Sequence, residues 1–599
     1  MRRTLGLTIG LTTLIALFAG AVSPAASAGS AGGGPGGLRP ARPGPVLSYG
    51  HSGRAAGYRI TALPGGRPDD GRSPAARGRA GVQLETITFK GILRNGQAVT
   101  PANLAASVGA INLATGKLTL GQKSSAGVVT IKVPAGRYDL SAGLVTPLQG
   151  AAQRNVTLID DPEVSVTRDL HVTFDARLGV PISATLDRHE GNRWMVGALA
   201  ETVAGIGYIL WAPSLPGEGG IYAVPTQRVT DRPYGFLAQL QLDNSVPGPD
   251  GPGLATVGYS LEFPTLGRIP ARLAYRVHDS SLAVVRQNLR QQGKPMTLVD
   301  EIDNPLGPVF ALFGTFGVTQ FAPGTEFYLP PGKTVTEYVT PGSWHTLPDF
   351  FYGPPTGYQP AWIETGSPTT YRAGRTYQTY WGSAALGVAS ASSRLGDVIT
   401  PDVLPDSTSA PGTLDAQSSA AGLSGTITLR RGATVIGTGP IVNQPKFTVT
   451  AASTRYTLSA TMRRSVPWST LGTSAQAAWT FRSGHVAGKD AATLPLWDVR
   501  ISGPFDALDR APAGKPFRLT VAPDRPGGAK PARITSIAVK ASFDDGETWV
   551  PLKLRSMGAG TWTTTVTPPA GAAFVSLSAS LTDAAGNSTR QTVIRAYQL

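Results

Sequence analysis

The sequence predicts an all-β protein built from several tandem β-sandwich domains with one short connector helix. Three observations predict it. From Leu84 onward, short alternating runs are broken by turn residues roughly every 8 to 12 positions, the pattern of sandwich strands. Glycine (73) and proline (50) are abundant in the 599 residues, but together they stay below the ~25 to 30% that marks low-complexity disorder. Helical spacing is confined to one segment. The 41% hydrophobic content suffices for cores, and a soft rule of ~150 residues per domain gives about four. The absence of cysteine excludes disulfides, thiolate catalysis and thiolate-bound metals.

Residues 1–28 read as a secretory signal: Arg2 and Arg3 form a basic start, Leu5 to Ala19 is largely apolar, and Ala26-Ser27-Ala28 suits cleavage. No later run reaches the ~18 apolar residues of a membrane span, so a secreted, extracellular chain is expected. Residues 29–82 carry eight arginines against Asp69 and Asp70, with 15 glycines and 7 prolines, and read as a disordered basic arm. Much of the formal charge of +15 sits there or in the signal. Outside a cell, the natural anionic partners of such an arm are cell-wall polymers, lipid headgroups or acidic polysaccharide, held weakly and in a salt-dependent way, with a solvated linker as the plainer reading. The remaining charge is too dilute for a nucleic-acid stripe, so no nucleic acid is expected.

In residues 83–185, the run Leu84 to Thr100 contains Asn95-Gly96, a strong turn signal because both positions tolerate positive φ. Val129 to Leu144 alternates, turns at Pro134 to Gly136, and alternates again. A β-rich central region follows over residues 186–410. Its helix is expected from a cap at Ser280 or Ser281, with Leu282, Val285 and Leu289 at helical spacing and Gly293 as the stop. Two further sandwiches are placed at 411–500 and 501–599. Arg137-Tyr138-Asp139-Leu140-Ser141-Ala142 recurs as Arg455-Tyr456-Thr457-Leu458-Ser459-Ala460 with one difference, which suggests related sandwiches. Ser542 to Trp549 fits the S-x-D-x-G-x-T-W pattern of an Asp-box, here a single stapled hairpin with Trp549 and Trp562 in or near its core.

The segments HVTFDARLGVP (His171 to Pro181), YRAGRTYQTYWGSAALG (Tyr371 to Gly387), AWTFRSGH (Ala478 to His485) and the last 29 residues from Gly571 resemble the non-catalytic C-terminal region of large secreted actinobacterial subtilisin-like serine proteases. The resemblance implies a carboxypeptidase-regulatory or transthyretin-like sandwich at 83–185 and an immunoglobulin-like one at 501–599. It also implies a peptidase-associated role. The catalytic domain of that family is absent. Gly472-Thr473-Ser474 is the nearest imitation of the nucleophile motif, and it leads into a strand where the nucleophile needs a strand-to-helix turn.

No cofactor, metal or catalytic residue is expected from the motifs. None of the six histidines has a second at metal-ligand spacing, no His-Glu-x-x-His exists, and each reads as a surface residue. Asp160-Asp161 is weighed as a weak cation site, with a turn before Pro162 as the simpler reading. Between Trp344 and Trp381 the aromatic density is about three times the 8% average. Phe351, Tyr352, Tyr358 and Trp362 are its candidate ligand-binding members, since rings on a rigid scaffold stack on sugars or side chains; core packing is the competing reading. Two functions follow. One is a non-catalytic protein that binds cell wall, polymer or protein substrate, or a partner enzyme. The alternative is an extracellular peptidase or glycosidase with carboxylates distant in sequence, invisible to motif search.

Overall fold

The computed structural model describes residues 59–62, 83–99, 108–123, 128–148, 154–188, 192–214, 218–246, 253–305, 325–354, 359–410, 413–416, 422–525 and 532–599. These form 44 strands and two three-residue 3-10 turns, Ala176–Leu178 and Asp279–Ser281. The chain is all-β, and its sheets stack as tandem sandwiches. The segment expected to be a secretory signal and most of the basic arm lie outside the described residues.

At the N-terminal end a four-stranded sheet (order Gln122–Lys123, Val129–Pro134, Leu84–Ile92, Leu170–Asp175) covers a six-stranded one (Val180–Pro181, Ile221–Ala223, Arg154–Val166, Gly136–Pro147, Gly109–Asn112, Leu118–Leu120). Ile87, Phe89 and Ile131 from one sheet meet Tyr138, Leu140, Ala142 and Ile159 from the other. Gly96 takes the expected positive φ of 83°, closing the turn through its N–H to the Leu93 carbonyl at 2.9 Å. The turn at Pro134 to Gly136 carries the chain from one sheet to the other, which lets both flanking strands face one core.

The six-stranded sheet is buried on its second face too. Val145, Val156 and Leu158 pack there against Met195, Leu199, Leu210 and Phe236 of a wide eight-stranded sheet (Arg59–Ala62, Ile206–Ser214, Asn192–Val203, Tyr234–Asp243, Val257–Leu266, Thr334–Val339, Ala283–Leu289, Thr376–Trp381). Strand Gly136–Pro147 is accordingly buried from Tyr138 to Thr146, the signature of a middle layer. The expected boundary near 185 falls within this shared packing. A further six-stranded sheet, with Leu298–Pro305 and Gly342–Tyr352 central, closes the other face of the wide sheet through Trp344, Phe350 and Trp362.

Two expectations are corrected. The connector helix is a strand: after the 3-10 turn at Asp279–Ser281, Ala283–Leu289 pairs with Thr334–Val339 and Thr376–Trp381. Its buried residues are Ala283, Val285, Gln287 and Leu289, a period of two; Leu282, Val285 and Leu289 satisfied a helical spacing only because an i, i+3 or i+4 match ignores the residues between. The arm is not disordered throughout, because Arg59–Ala62 adds an edge strand to the wide sheet, Ile60 opposite Leu210.

The C-terminal part is a sandwich of an eight-stranded sheet (Thr434–Pro440, Leu423–Arg431, Thr454–Arg464, Ser474–Ser483, Ser588–Gln598, Phe574–Asp583, Ile534–Ser542, Val550–Leu552) on a four-stranded one (Asp498–Ser502, Phe517–Asp524, Thr561–Val566, Arg555–Gly558). The larger sheet joins the segments assigned to separate sandwiches, with Ala477 opposite Gln591 at the seam. One core runs from Ala384 to Tyr597, so position 500 lies inside it. Near 410 the chain hands over: Val403–Ser407 pairs with Gly387–Ser390, whereas Thr413–Ala416 returns to the central sheet beside Gln359–Gly366. The Asp-box hairpin is present. Asp544 accepts from the Thr548 N–H at 2.9 Å, Ser542 Oγ accepts from the Gly546 N–H at 2.8 Å, and Gly546 has φ 94°.

Candidate functional site

The structure sends most of the aromatic run inward. Trp362 lies opposite Phe350 in the strand register, stacks on it at 4.2 Å between centroids, and is 1% exposed. Its indole N–H donates to the buried Glu364 carboxylate at 3.2 Å. Tyr352 is half-buried with its ring 5.3 Å from Trp468, Phe351 is half-buried beside the β-bulge, and Tyr358 lies outside the described residues. For Trp362 the core-packing reading holds, because a second sheet stacks on the wide one and the ring fills the gap between them; Phe351 and Tyr352 keep part of their surface in solvent. Trp344, Tyr371 and Trp381 are buried as well. His345, expected at the surface, is also buried, and burial holds its imidazole below the ordinary histidine range.

Where the six-stranded and wide sheets meet, the structure brings together a set of ionisable groups that no motif announces. Asp139, Asp160 and Glu201 are 1%, 6% and 3% exposed. Asp160-Asp161-Pro162, read from sequence as a turn, is inside strand Arg154–Val166. The ladder slips between Tyr138 and Leu140, so that Leu140 pairs with Asp161 and Tyr138 with Val164. Pro162 has no N–H to donate, and the resulting bulge sets Asp139 toward the wide sheet. Arg232 answers from the segment before Tyr234–Asp243. It donates from Nε to Glu201 at 2.7 Å, and from Nη2 to Asp139 at 3.0 Å and to the Pro162 carbonyl at 2.8 Å. Tyr234 donates its hydroxyl to Asp160 at 2.6 Å.

Three carboxyl groups around one guanidinium cannot all be ionised cheaply in a dry interface. Burial first, then the Asp160 and Glu201 charges, push Asp139 well above the ordinary aspartate range. Burial and Glu201 push Asp160 up to about 7, and burial raises Glu201. Asp139 Oδ1 and Asp160 Oδ1 are buried without a donor among the described residues, a state that a proton kept on a carboxyl would relieve. A void of about 10 Å³ adjoins them, lined by Ser141, Leu199, Tyr208 and Leu210 among others, room for about one water. Among the described residues no group of His, Asp or Glu is arranged to hold a metal. The arrangement can store a proton and lock two sheets, but a polymer chain or peptide has no way to reach it.

The internal echo explains both this interface and its open counterpart. Tyr138, Leu140 and Ala142 face one core, and Tyr456, Leu458 and Ala460 face another. The alternate positions part company. Asp139 and Ser141 are sealed under the wide sheet, whereas Thr457 and Ser459 stand on the uncovered face of the C-terminal eight-stranded sheet and are only partly buried. The one difference in the hexapeptide marks which copy carries an extra layer. The signal for the acidic cluster was thus available: an Asp replacing Thr in a repeated strand, and a proline inside an otherwise alternating run.

No family model matches the chain, and no curated protein matches it. Among solved structures, the N-terminal eight Ig domains of Down Syndrome Cell Adhesion Molecule (DSCAM), isoform 1.30.30, are 10% identical, with 86% of this chain and 84% of that chain covered at a TM-score of 0.12. A score so low leaves the fold to be argued from the sheets themselves.

Proposed function

We propose that this is a secreted, non-catalytic, multidomain β-sandwich protein that works by contact, holding an extracellular polymer or protein in the way the resemblance to protease accessory regions implies. One observation carries the reading. Asp139, Asp160 and Glu201, acids of raised proton affinity, are sealed between two sheets, while the broad outer face of the C-terminal sheet is open to solvent. Perturbed acids serve catalysis only where substrate reaches them. The test is cosedimentation of the secreted chain with purified cell wall, chitin, cellulose and insoluble protein at low and moderate salt, with and without residues 29–58, a cut that keeps strand Arg59–Ala62. Salt-resistant retention on one of these, independent of the arm, is the expected result. Release of soluble sugar or peptide from any of them would overturn the non-catalytic reading.

A further inference from the structure

We infer that the outer face of the C-terminal eight-stranded sheet is a binding surface for an acidic, carboxylate-bearing polysaccharide. The inference rests on the contact reading above and adds the surface and its ligand. Strand register aligns Lys540, Ser578, Thr592, Gln476, Thr461 and Thr426 in one row across six strands. At ~4.8 Å per strand the row spans about 24 Å. The parallel rows on this face are mostly serine, threonine and alanine, with Arg590, Arg430 and Arg463 among them and Val435 and Ile594 as their aliphatic members. Hydroxyls pair across the strands, Thr426 with Thr461 at 3.1 Å, Thr457 with Thr480 at 3.1 Å, and Thr592 with Ser578 at 3.0 Å.

Six cations stand on or border this face, Arg430, Arg455, Arg463, Arg482, Arg590 and Lys540, all exposed, and none takes part in an ion pair among the described residues. No Asp or Glu occupies any outward position of these rows. Among the described residues no layer covers these rows, and the bordering hairpin acids Asp544, Asp545 and Glu547 leave the six cations without an ion pair, so the charge of the face calls for an anion. Guanidinium forks grip carboxylates bidentately. Hydroxyls that both donate and accept match the hydroxyls of sugar rings, which do the same. Single-stranded nucleic acid is the poorer fit, because base stacking needs aromatic platforms and no Phe, Tyr or Trp points outward in these rows.

The test uses the full chain in affinity electrophoresis through gels carrying polygalacturonate, neutral dextran, or single-stranded DNA. Polygalacturonate is expected to retard the protein, dextran not, with the retardation weakened by ~0.5 M salt. The variant with Arg430, Arg455, Arg482 and Arg590 each changed to Gln is expected to lose affinity about tenfold or more, since exposed charge contacts contribute modestly but together. Neutralising Arg168, Arg272, Arg375 and Arg518 instead, all exposed on other faces, is expected to leave it nearly unchanged. Ala478→Glu, which removes no cation but plants a carboxylate amid the rows, should match the loss of the first variant. Equal loss in both arginine sets, or none in either, overturns the assignment of the face. Stronger retardation by DNA that is lost with the same face overturns the polysaccharide. If the protein binds wall polymers but not polygalacturonate, this inference alone fails; if it binds no polymer or protein at all, the contact reading fails with it.

Discussion

Asp160 is where the chemistry of single residues becomes measurable. Burial and the neighbouring Glu201 raise its carboxyl to about 7 in the folded state, against an ordinary value of about 4 when unfolded. A raised folded value means that the stabilisation is fully present below the unfolded value and is lost as pH rises through about 7. Asp139 and Glu201 shift the same way, as do Glu262, Asp349 and Asp498, each pushed to about 7 chiefly by burial. The protein is therefore expected to resist urea better at pH 5 than at pH 8. Asp160→Asn imitates the protonated form, since its amide oxygen can accept from Tyr234 and the side chain carries no charge to bury. It should raise the urea midpoint at pH 8, leave it nearly unchanged at pH 5, and so flatten the profile. A variant with the wild-type pH dependence would show that the cluster holds no proton. Arg232→Met should do the opposite, costing about 3 to 5 kcal/mol at pH 8 by leaving buried carboxylates uncompensated, with part of the loss restored at pH 5.

At the scale of elements, the same argument about cover decides what Trp362 is for. As an exposed ligand platform it would tolerate truncation with no loss of stability. As the ring that fills the gap between two stacked sheets, Trp362→Ala is expected to cost about 3 to 5 kcal/mol and to leave Glu364, fully buried, without its indole donor. Thermal unfolding of the two forms separates the readings. Strand existence was legible in the sequence because alternation and turn chemistry are local: Asn95-Gly96 and the Ser542 to Trp549 hairpin needed no tertiary knowledge. What was illegible is what lies over each strand. The run from Trp344 to Trp381 reads the same whether its rings face solvent or a second sheet, and Leu282, Val285 and Leu289 read as a helix because the competing alternation includes Gln287, a polar residue that is buried and hydrogen-bonded to Glu337 at 2.7 Å. The acidic cluster was hidden for the same reason, its members lying on strands 62 residues apart from Asp139 to Glu201 in the chain.

Over the whole molecule, the seams between sandwiches are packed rather than linked, and this sets where the chain can be cut. Strand Ser588–Gln598 pairs on one side with Phe574–Asp583 and on the other with Ser474–Ser483, and Trp479 donates its indole N–H to the Trp497 carbonyl at 2.9 Å. A fragment of residues 501–599 would expose the edge of Ser588–Gln598 together with the apolar ring that Leu458, Trp479 and Phe481 now cover, an open edge that invites pairing between copies. It is expected to aggregate or remain unfolded, as is a fragment of residues 411–500. A fragment of residues 384–599 keeps the whole core and is expected to unfold cooperatively, though with reduced stability. Its Arg464, buried and paired with Asp406 at 2.9 Å, would lose the Gln292 side-chain amide oxygen to which it donates at 3.0 Å. Circular dichroism and size-exclusion chromatography of the three fragments decide the matter, and a monomeric, folded 501–599 would show that the continuous sheet is an accident of adjacency between independent sandwiches. If the larger fragment alone folds, the hydroxyl and arginine face, whose six strands come three from each segment, exists only because the two segments share a sheet, and selection for that surface would explain why the seam is closed.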